Sequence, residues 1–469
     1  MTPYEAVREQ FKFPFVLYPF QIEEVNELAQ YPRAGYYWDP GAGKTAGSTH
    51  HALYWMIQHG YAQWLVVLPP ILLVQWYLWL GSITNLKTGK ALSATLYAGA
   101  PKKRLQLDLS ADFILLTYGM LKNDFEHLHG YFEGRRLGII ADEATAIKNI
   151  ESQNHKAIAL MSEERPLLPL TGTPVNKPGD SYAYMKLIAP GLYRNKRHFE
   201  RLHVGEKDEY DNVTSWVNLD LLAQNMKVQT SRVLRREVKK DLPDVIFTPR
   251  PYNLEDAHLK LYHRIAEERL VEFDNGKEID AISASKLRSA LQQIIVNWGE
   301  FDENPDRRPA VLDMIEETLE EIGEKKLVVV ANFRRTNKYL QGALTKYNAV
   351  AVYGDVSPKA KLAAIERFID DPLCRVIQIQ PQSAGFGVDG LQHVCSDMLI
   401  VEAPTTPTPF HQVVARLDRD GQDDVVHCRL AIAQGTVQVG MFRNLLDNDE
   451  LANSVQGGYK DLRRAVYGG

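Results

Sequence analysis

The chain has 469 residues, of which 45% are hydrophobic and 24% charged, as in a globular protein of two to four domains. We find no apolar run of about 18 residues, which argues against a membrane-spanning helix, and no basic-then-apolar N-terminal segment, so we expect no secretory signal. A net charge of −5 does not by itself indicate a nucleic-acid-binding protein, and three widely spaced cysteines (Cys374, Cys395, Cys428) favour a reducing compartment.

The first motif along the chain is the stretch "WDPGAGKTAGS", from Trp38 to Ser48. Its glycines allow backbone N–H groups to approach an anion closely, the lysine carries charge to the outer phosphates, and the threonine hydroxyl can hold Mg²⁺. An ordinary glycine-rich turn is the alternative, and Trp38 stands where such motifs usually have a small residue. The predicted phosphate-binding residues are Pro40, Gly41, Ala42, Gly43, Lys44 and Thr45.

A first series of apolar runs follows, each bounded by turn signals. We interpret four of them as buried parallel strands: residues 64–70, 113–118, 137–143 and 166–174. The third ends in Asp142 and Glu143. Asp142 could bind Mg²⁺, usually through water, and Glu143 could orient and deprotonate an attacking water. A surface acidic pair that caps the next helix is the alternative for these two residues.

Beyond residue 180 the pattern changes. From about 180 to 300 we find few strand-like runs and many helical ones, such as "LLAQNMKVQTSRVLRREVKK", and residues 301–309 resemble a polar linker. A second series of strand-like runs covers 326–333, 349–355, 375–380 and 397–404. The alternation predicts an α/β fold with parallel sheets. The predicted domains are a first lobe (1–190), a helical insert and linker (191–309), a second lobe (310–455) and a short tail (456–469).

Nine segments resemble, in their residues and in their order along the chain, the motifs of the superfamily-2 helicases and translocases, and specifically of their Swi/Snf-like branch. The segments are "LYPFQIEEVNEL", "GAGKT", "LVVLPPILLVQW", "LLTYGML", "DEATAIKN", "LTGTPVNK", "RVLRREVKKDLP", "SAGFGVDGLQ" and "HQVVARLDRDGQ". They span about residues 15 to 440. The resemblance implies two RecA-like lobes in tandem with a helical insert between them, and ATP hydrolysis at the interface of the lobes.

The resemblance also implies roles for single residues. Gln21 would read the adenine base, while Asp389, Gln412 and Gln422 would couple the lobes, and Thr171 and Thr173 would link the nucleotide site to the DNA face. Arg416 and Arg419 would stabilise the phosphoryl-transfer transition state, and their spacing of three predicts one helical face. An exposed basic helix face is the alternative for these arginines.

The family contacts nucleic acid mainly through its phosphates, which positions the protein without reading sequence. The residues that match its DNA-facing motifs are Gln75, Trp76, Thr117, Tyr118, Asn332, Phe333, Arg334 and Ser383. For Trp76 and Phe333 a place in the core is an equal alternative.

These observations predict a DNA-dependent ATPase that uses ATP and Mg²⁺ to move along DNA and remodels branched or forked DNA. The alternatives are a conventional strand-separating DNA or RNA helicase, and a non-motor NTPase or scaffold. The compact chain suggests a bacterial or viral protein of replication, recombination or repair, acting in the cytoplasm of a bacterium or an infected host, with no membrane partner.

Overall fold

The fold was obtained as a computed structural model, in which two compact units are built around Met1–Lys240 and Asp241–Asp449. The structure describes residues 1–70, 72–234, 238, 243–268, 270–272, 278–280, 284–298, 308–384, 390–404 and 406–456. Within these ranges no helix combines the length and the apolarity that crossing a membrane requires.

The first unit is organised around a parallel sheet of seven strands. The strands of the whole unit are β1 (Phe11–Lys12), β2 (Gly35–Trp38), β3 (Gln63–Leu68), β4 (Thr84–Asn85), β5 (Ala94–Leu96), β6 (Phe113–Thr117), β7 (Leu137–Asp142), β8 (Leu167–Leu170), β9 (Val204–Lys207), β10 (Val213–Trp216) and β11 (Thr230–Val233). The sheet has the order β11–β2–β8–β7–β3–β6–β5, while β1 with β4 and β9 with β10 form small antiparallel pairs. Because β2 and β7 both flank β8, the segments that follow these three strands emerge side by side.

Helices pack on both faces of this sheet. They are α1 (Pro3–Gln10), α2 (Pro19–Leu28), α3 (Lys44–His59), α4 (Leu72–Gly81), α5 (Pro101–Arg104), α6 (Tyr118–Asn123), α7 (Phe125–Tyr131), α8 (Gln153–Met161), α9 (Ser181–Ile188), α10 (Lys196–His203) and α11 (Leu219–Met226), with short 3₁₀ turns at Ala144–Ile147 and Pro178–Asp180. Strand β3 shows why two cores form: Leu65 and Val67 enter one, whereas Trp64 and Val66 enter the other. Successive side chains of a strand point to opposite faces, so a strand that is buried on both sides must be apolar throughout.

The second unit has a parallel sheet of six strands. The strands of the whole unit are β12 (Val245–Tyr252), β13 (Leu270–Glu272), β14 (Glu278–Asp280), β15 (Leu327–Val330), β16 (Val350–Val352), β17 (Val376–Ile379), β18 (Asp397–Ile400) and β19 (Val426–Ala433). The sheet has the order β12–β19–β18–β15–β17–β16, and β13 pairs with β14. The helices are α12 (Asp256–Glu268), α13 (Ala284–Asn297), α14 (Ala310–Glu321), α15 (Arg334–Ala343), α16 (Pro358–Asp370), α17 (Pro381–Ala384), α18 (Pro407–Val414) and α19 (Val437–Gln456), with 3₁₀ turns at Thr345–Tyr347 and Leu391–His393.

The predicted α/β class with two parallel-sheet lobes is confirmed, and each of the eight predicted strand runs contains a strand. The stretch from 180 to 300 contains more strands than predicted: it carries two small antiparallel pairs, β9 with β10 and β13 with β14, and it also supplies β11 and β12, one edge strand to each large sheet. Strand β11 lies inside a run predicted as helical. It forms because Ser231 and Arg232 find partners beside β2: Ser231 accepts a hydrogen bond from Trp38, and Arg232 pairs with Asp39. The predicted domain boundaries stay predictions.

Candidate functional site

The phosphate loop predicted from the sequence lies between β2 and α3. Gly41 and Gly43 have φ of +82° and +88°, a left-handed conformation that favours glycine. A Cβ on Gly43 would lie 2.2 Å from Nε2 of Gln21. Helix α3 begins at Lys44 without a side-chain N-cap hydrogen bond and with no acidic residue in its first turn. The first backbone N–H groups of such a helix form a favourable site for an anion.

Gln21 lies against this loop rather than at the surface. Its Nε2 donates to the carbonyl of Ala42 at 2.8 Å, and its Oε1 accepts from the backbone N–H of Tyr18 at 2.9 Å. Only 4% of the residue is exposed. The structure therefore gives Gln21 a role in holding the loop, and its predicted contact with a base stays a prediction.

Lys44, the first residue of α3, folds back over the loop. Its Nζ donates to the carbonyls of Trp38 at 2.8 Å and Asp39 at 3.3 Å. Burial lowers the pKa of Lys44, and the carboxylates of Glu143 and Asp142 oppose that shift. The ammonium group thus lies within electrostatic reach of both acidic residues. The sequence predicted that Lys44, Asp142 and Glu143 belong to a single nucleotide site.

Asp142 ends β7, and both of its carboxylate oxygens accept hydrogen bonds. Oδ2 accepts from the indole Nε1 of Trp76 at 2.8 Å, and Oδ1 accepts from the backbone N–H of Glu143 at 2.9 Å. Burial raises the pKa of Asp142, while the Trp76 hydrogen bond and Lys44 oppose the shift. A buried, oriented carboxylate of this kind suits a hard cation, which prefers oxygen ligands.

Glu143 follows in a left-handed conformation, with φ of +49° and ψ of +53°. This conformation is uncommon for a residue with a side chain and costs of the order of 1–3 kcal/mol. The change of direction ends β7 and starts the 3₁₀ turn Ala144–Ile147. Glu143 is half-buried, beside Asp142 at the edge of the sheet where the phosphate loop lies.

The loop after β8 approaches the phosphate loop closely. A Cβ on Gly172 would lie 2.8 Å from Cδ of Pro40, so a larger residue would push the two loops apart. Thr171 donates its N–H to Tyr36 at 3.1 Å, and Oγ1 of Thr171 accepts from the N–H of Thr173 at 3.2 Å. The structure thus brings Thr171 and Thr173 beside the nucleotide-site residues, as predicted, while their link to DNA stays a prediction.

Of the four residues of the first unit that match DNA-facing motifs, Trp76, Thr117 and Tyr118 are buried, which for Trp76 agrees with the alternative of a place in the core. Trp76 is 1% exposed and Tyr118 is 7% exposed. Trp76 binds the side chain of Asp142, and the hydroxyl of Tyr118 donates to the backbone carbonyl of Asp142 at 2.8 Å. Gln75 is exposed on α4, and Thr117 caps α6 by accepting from Met120. Burial argues against direct contact of Trp76 or Tyr118 with nucleic acid, so Gln75 is the accessible member of this set.

Sequence reasoning missed a pair that supports the phosphate loop. Arg232 of β11 contacts Asp39 at 2.9 Å and donates to the carbonyl of Tyr37 at 2.6 Å. Ser231 of the same strand accepts from Nε1 of Trp38 at 2.8 Å, which explains how a large residue is held at the start of this loop. The only signal in the sequence was the segment "RVLRREVKKDLP" itself. Its contact with the loop depends on the long-range pairing of β11 with β2.

In the second unit, the four matching residues lie at the carboxyl ends of β15 and β17. The backbone N–H groups of Asn332 and Phe333 donate to the buried carboxylate of Glu402, and the side chain of Asn332 accepts from Gln382 at 2.9 Å. Arg334 is exposed and pairs with Asp355 at 2.7 Å, whereas Ser383 is buried. Sequence reasoning missed Glu402, although it lies within the run "DMLIVEAP".

The two predicted catalytic arginines lie outside the helix that was expected to carry them. Helix α18 ends at Val414, and Arg416 and Arg419 lie in the following turn, so the prediction of one helical face is wrong. The chain tightens because the N–H of Arg416 bonds to Val413 in the i to i−3 pattern. The side chain of Gln422 donates to Leu417 at 3.3 Å and to Cys395 at 2.9 Å, which holds the turn. Gln412 is half-buried in α18, and Asp389 lies outside the described residues.

The residues of the first unit fit a nucleotide with a divalent cation. The glycine cradle and the open N-terminus of α3 fit phosphates, and Asp142 at the end of β7 and Thr45 in the first turn of α3 carry side-chain oxygens of the kind that a divalent cation prefers. In the part of the chain that the structure describes, no group of three or more His, Cys, Asp or Glu residues could hold a metal. A Mg²⁺ ion here would therefore depend on phosphate oxygens and water as well as on the protein.

Comparisons with known proteins indicate which proteins this chain is similar to. A family model described as the SNF2-related domain matches residues 37–298, more than half of the chain. An uncharacterized ATP-dependent helicase of Mycoplasma pneumoniae is 22% identical over 353 residues, which cover 74% of this chain and 33% of that protein. The human DNA annealing helicase and endonuclease ZRANB3 is 23% identical over 367 residues, which cover 76% of this chain and 33% of that protein.

Two further comparisons extend to yeast and to a solved structure. The DNA repair and recombination protein RAD54 of Saccharomyces cerevisiae is 22% identical over 394 residues, which cover 75% of this chain and 43% of that protein. The Sulfolobus solfataricus SWI2/SNF2 ATPase core in complex with dsDNA is 22% identical with a TM-score of 0.43, and covers 97% of this chain and 98% of that one. The chain spans less than half the length of the three curated relatives.

Proposed function

The chain belongs to the SNF2-related domain family, and we propose that it is a DNA-dependent ATPase that couples ATP hydrolysis to movement along DNA. One observation carries the proposal. The phosphate loop, Lys44, Asp142 and Glu143 converge at the carboxyl ends of the parallel strands in the first sheet. Each is a component that phosphoryl transfer to water requires. The sequence predicted the same set, and the sheet order explains why they meet.

Within this site each residue has a distinct task. The backbone N–H groups of the glycine cradle and the ammonium of Lys44 bind phosphate oxygens. Asp142 and Thr45 would hold Mg²⁺, which would supply neutralisation of charge on the phosphates. Glu143 orients a water molecule and accepts its proton. Its left-handed backbone directs the residue out of the strand end, away from the direction in which β7 runs.

In the second unit, we propose that Arg416 and Arg419 stabilise the charge that spreads over the transferred phosphoryl group. Guanidinium groups are suited to this because they stay charged and donate several hydrogen bonds in a fixed geometry. Their place in a turn held by Gln422 supports this role, because a short turn fixes the two backbones more firmly than a long loop would.

DNA is the proposed partner, bound through its phosphates. The proposal is supported by the exposed side chains of Gln75 and Arg334 in motif-matched positions, and by the relatives named as a DNA annealing helicase and as a DNA repair and recombination protein. We further propose that the motor tracks along duplex DNA and remodels branched or forked DNA. A conventional strand-separating helicase is the second candidate, and the relative named as an ATP-dependent helicase favours it.

ATP hydrolysis measured with single-stranded, duplex and forked DNA tests the ATPase proposal. Stimulation by DNA is the expected result, and turnover that no DNA changes would contradict it. Because the contacts are to phosphates, log K should fall linearly with log of the salt concentration, by about 0.9 per phosphate neutralised on duplex. A weak dependence on salt would contradict binding through the DNA backbone.

A triplex-displacement assay beside an unwinding assay on a tailed duplex tests the mode of movement. Displacement of the third strand with poor unwinding is expected for a motor that tracks along a duplex. Efficient unwinding from a single-stranded tail without triplex displacement would instead establish the strand-separating candidate.

A further inference from the structure

The two aromatic donors to Asp142 come from the two segments of the first unit that match DNA-facing motifs. Trp76 lies in α4, the helix that follows β3, and Tyr118 is the first residue of α6, which follows β6. Trp76 donates to the Asp142 carboxylate at 2.8 Å, and Tyr118 donates to the Asp142 carbonyl at 2.8 Å. Two helices that are far apart in sequence are therefore bonded to one residue.

The bond from Trp76 determines how the carboxylate is oriented. The backbone N–H of Glu143 holds Oδ1, and the indole N–H holds Oδ2, so neither oxygen can rotate away without losing a partner in a buried place. A hydrogen bond to a charged group contributes more to stability than one between neutral groups. Trp76 is almost wholly buried, so its side chain is available to Asp142 and not to a ligand on the surface.

We propose that Trp76 and Tyr118 are positioning residues, which hold Asp142 in the orientation that receives Mg²⁺ and connect α4 and α6 to the nucleotide site. The inference rests on the proposed function for the role of Asp142. A shift of α4 or α6 when DNA binds moves the donors of Asp142 and changes the affinity for the cation. By thermodynamic linkage, the cation and nucleotide then change the affinity for DNA by the same factor.

Helix α4 offers a matched control. Trp79 is three residues from Trp76, and its indole Nε1 donates to Oγ1 of Thr49 at 3.0 Å instead of to Asp142. Trp76→Phe and Trp79→Phe each remove one indole N–H from the same helix and keep an aromatic ring. Tyr118→Phe removes a single oxygen atom, which makes it the variant with the least effect on packing.

The test measures the affinity of a fluorescent ATP analogue with Mg²⁺ and with EDTA, without hydrolysis. The gain in affinity from Mg²⁺ should fall about tenfold in Trp76→Phe, the loss of one charge-assisted hydrogen bond, and by a smaller factor in Tyr118→Phe. Affinity in EDTA should stay unchanged. Trp79→Phe should keep the wild-type gain, and an equal loss in Trp79→Phe would reveal a general effect on α4 and overturn the inference.

Asp142→Asn separates this inference from the proposed function. If that variant keeps the full Mg²⁺ gain, Asp142 is not the metal ligand and the proposed site is wrong. If it loses the gain while Trp76→Phe and Tyr118→Phe keep it, the site stands and the positioning role is overturned. The connection to DNA is tested by the ratio of duplex affinity with and without the Mg²⁺–nucleotide complex. This ratio should move toward one in Trp76→Phe and in Tyr118→Phe, and an unchanged ratio would overturn the connection.

Discussion

Arg232 and Asp39 form an ion pair at 2.9 Å, although one lies in the last strand of the first sheet and the other in the phosphate loop. About a fifth of each side chain is exposed, and Arg232 also donates to the carbonyl of Tyr37 at 2.6 Å. The guanidinium thereby connects β11 to the segment that precedes Lys44. This contact depends on the parallel pairing of β11 with β2, in which Arg232 lies opposite Tyr37.

The first prediction concerns this pair. Arg232→Ala should weaken ATP binding about fivefold, because a partly buried ion pair contributes of the order of 1 kcal/mol and its loss lets the loop move. A double-mutant cycle with Asp39→Ala should show that the two effects are not additive. Arg197→Ala, which removes an exposed arginine of α10, is the control and should bind ATP normally. Additive effects of Arg232→Ala and Asp39→Ala would show that the pair does not act as a unit.

The pair also shows what sequence patterns cannot reveal. Strands such as Leu137–Asp142 were predictable because they are buried on both faces and apolar up to their last residue. Strand Thr230–Val233 was not predicted, because its Ser and Arg side chains are satisfied by partners that only the folded sheet brings close. The same limit applies to Trp76, because its motif left DNA contact and a place in the core as equal alternatives, and only the fold shows that its indole N–H contacts Asp142.

The second prediction concerns hydrolysis in the first unit. Glu143→Gln should bind ATP normally and lower turnover at least about 100-fold, because an amide cannot accept the proton of the attacking water. Lys44→Ala should weaken nucleotide binding or turnover, since it removes the ammonium beside the loop. Single-turnover hydrolysis with equilibrium binding of a nucleotide analogue separates the two effects.

The matched control for this prediction is Glu151→Gln. Glu151 is an exposed carboxylate a short distance along the chain, where it pairs with Lys156 at 3.5 Å. This variant should hydrolyse ATP at the wild-type rate. Wild-type turnover by Glu143→Gln would remove Glu143 from the mechanism.

The third prediction concerns the arginines of the second unit. Arg416→Ala and Arg419→Ala should each lower kcat by a factor of about 10³ and change ATP affinity little, because contacts of this kind form mainly in the transition state. Arg367→Ala, on the exposed face of α16 with Asp371 as its partner, is the control. If the two variants lose ATP binding and keep kcat, the arginines contribute to binding of the ground state instead.

The positions of these arginines mark a second limit of sequence reasoning. A motif locates residue types but not the end of a helix, and α18 stops at Val414 because tighter i to i−3 hydrogen bonds take over. In contrast, the phosphate loop was predictable in detail, because glycines with positive φ and a following helix leave few alternatives.

The fourth prediction concerns Glu402, a fully buried carboxyl two residues after the end of β18. It accepts hydrogen bonds from the N–H groups of Asn332 and Phe333 and from the hydroxyl of Thr336 at 2.6 Å. Burial raises the pKa of Glu402 to about 7, and these three hydrogen bonds oppose the shift. The carboxyl therefore holds the turn that carries two of the predicted DNA-contacting residues. Its contribution to the free energy of unfolding depends on pH.

The sign of that dependence follows from proton counting. Between the usual glutamate value of 4.5 and about 7, Glu402 binds a proton in the folded state and loses it in the unfolded state. The free energy of unfolding should therefore fall as pH rises through this window, by about 3 kcal/mol in total, and then level off. In Glu402→Gln this contribution is absent, so the stability of the wild type relative to the variant should be greater at pH 5 than at pH 8. Urea unfolding at pH 5, 6, 7 and 8 measures the difference. Glu320→Gln, in the exposed face of α14, is the control, and a stability difference between wild type and Glu402→Gln that stays constant with pH would show that the carboxyl has its ordinary pKa.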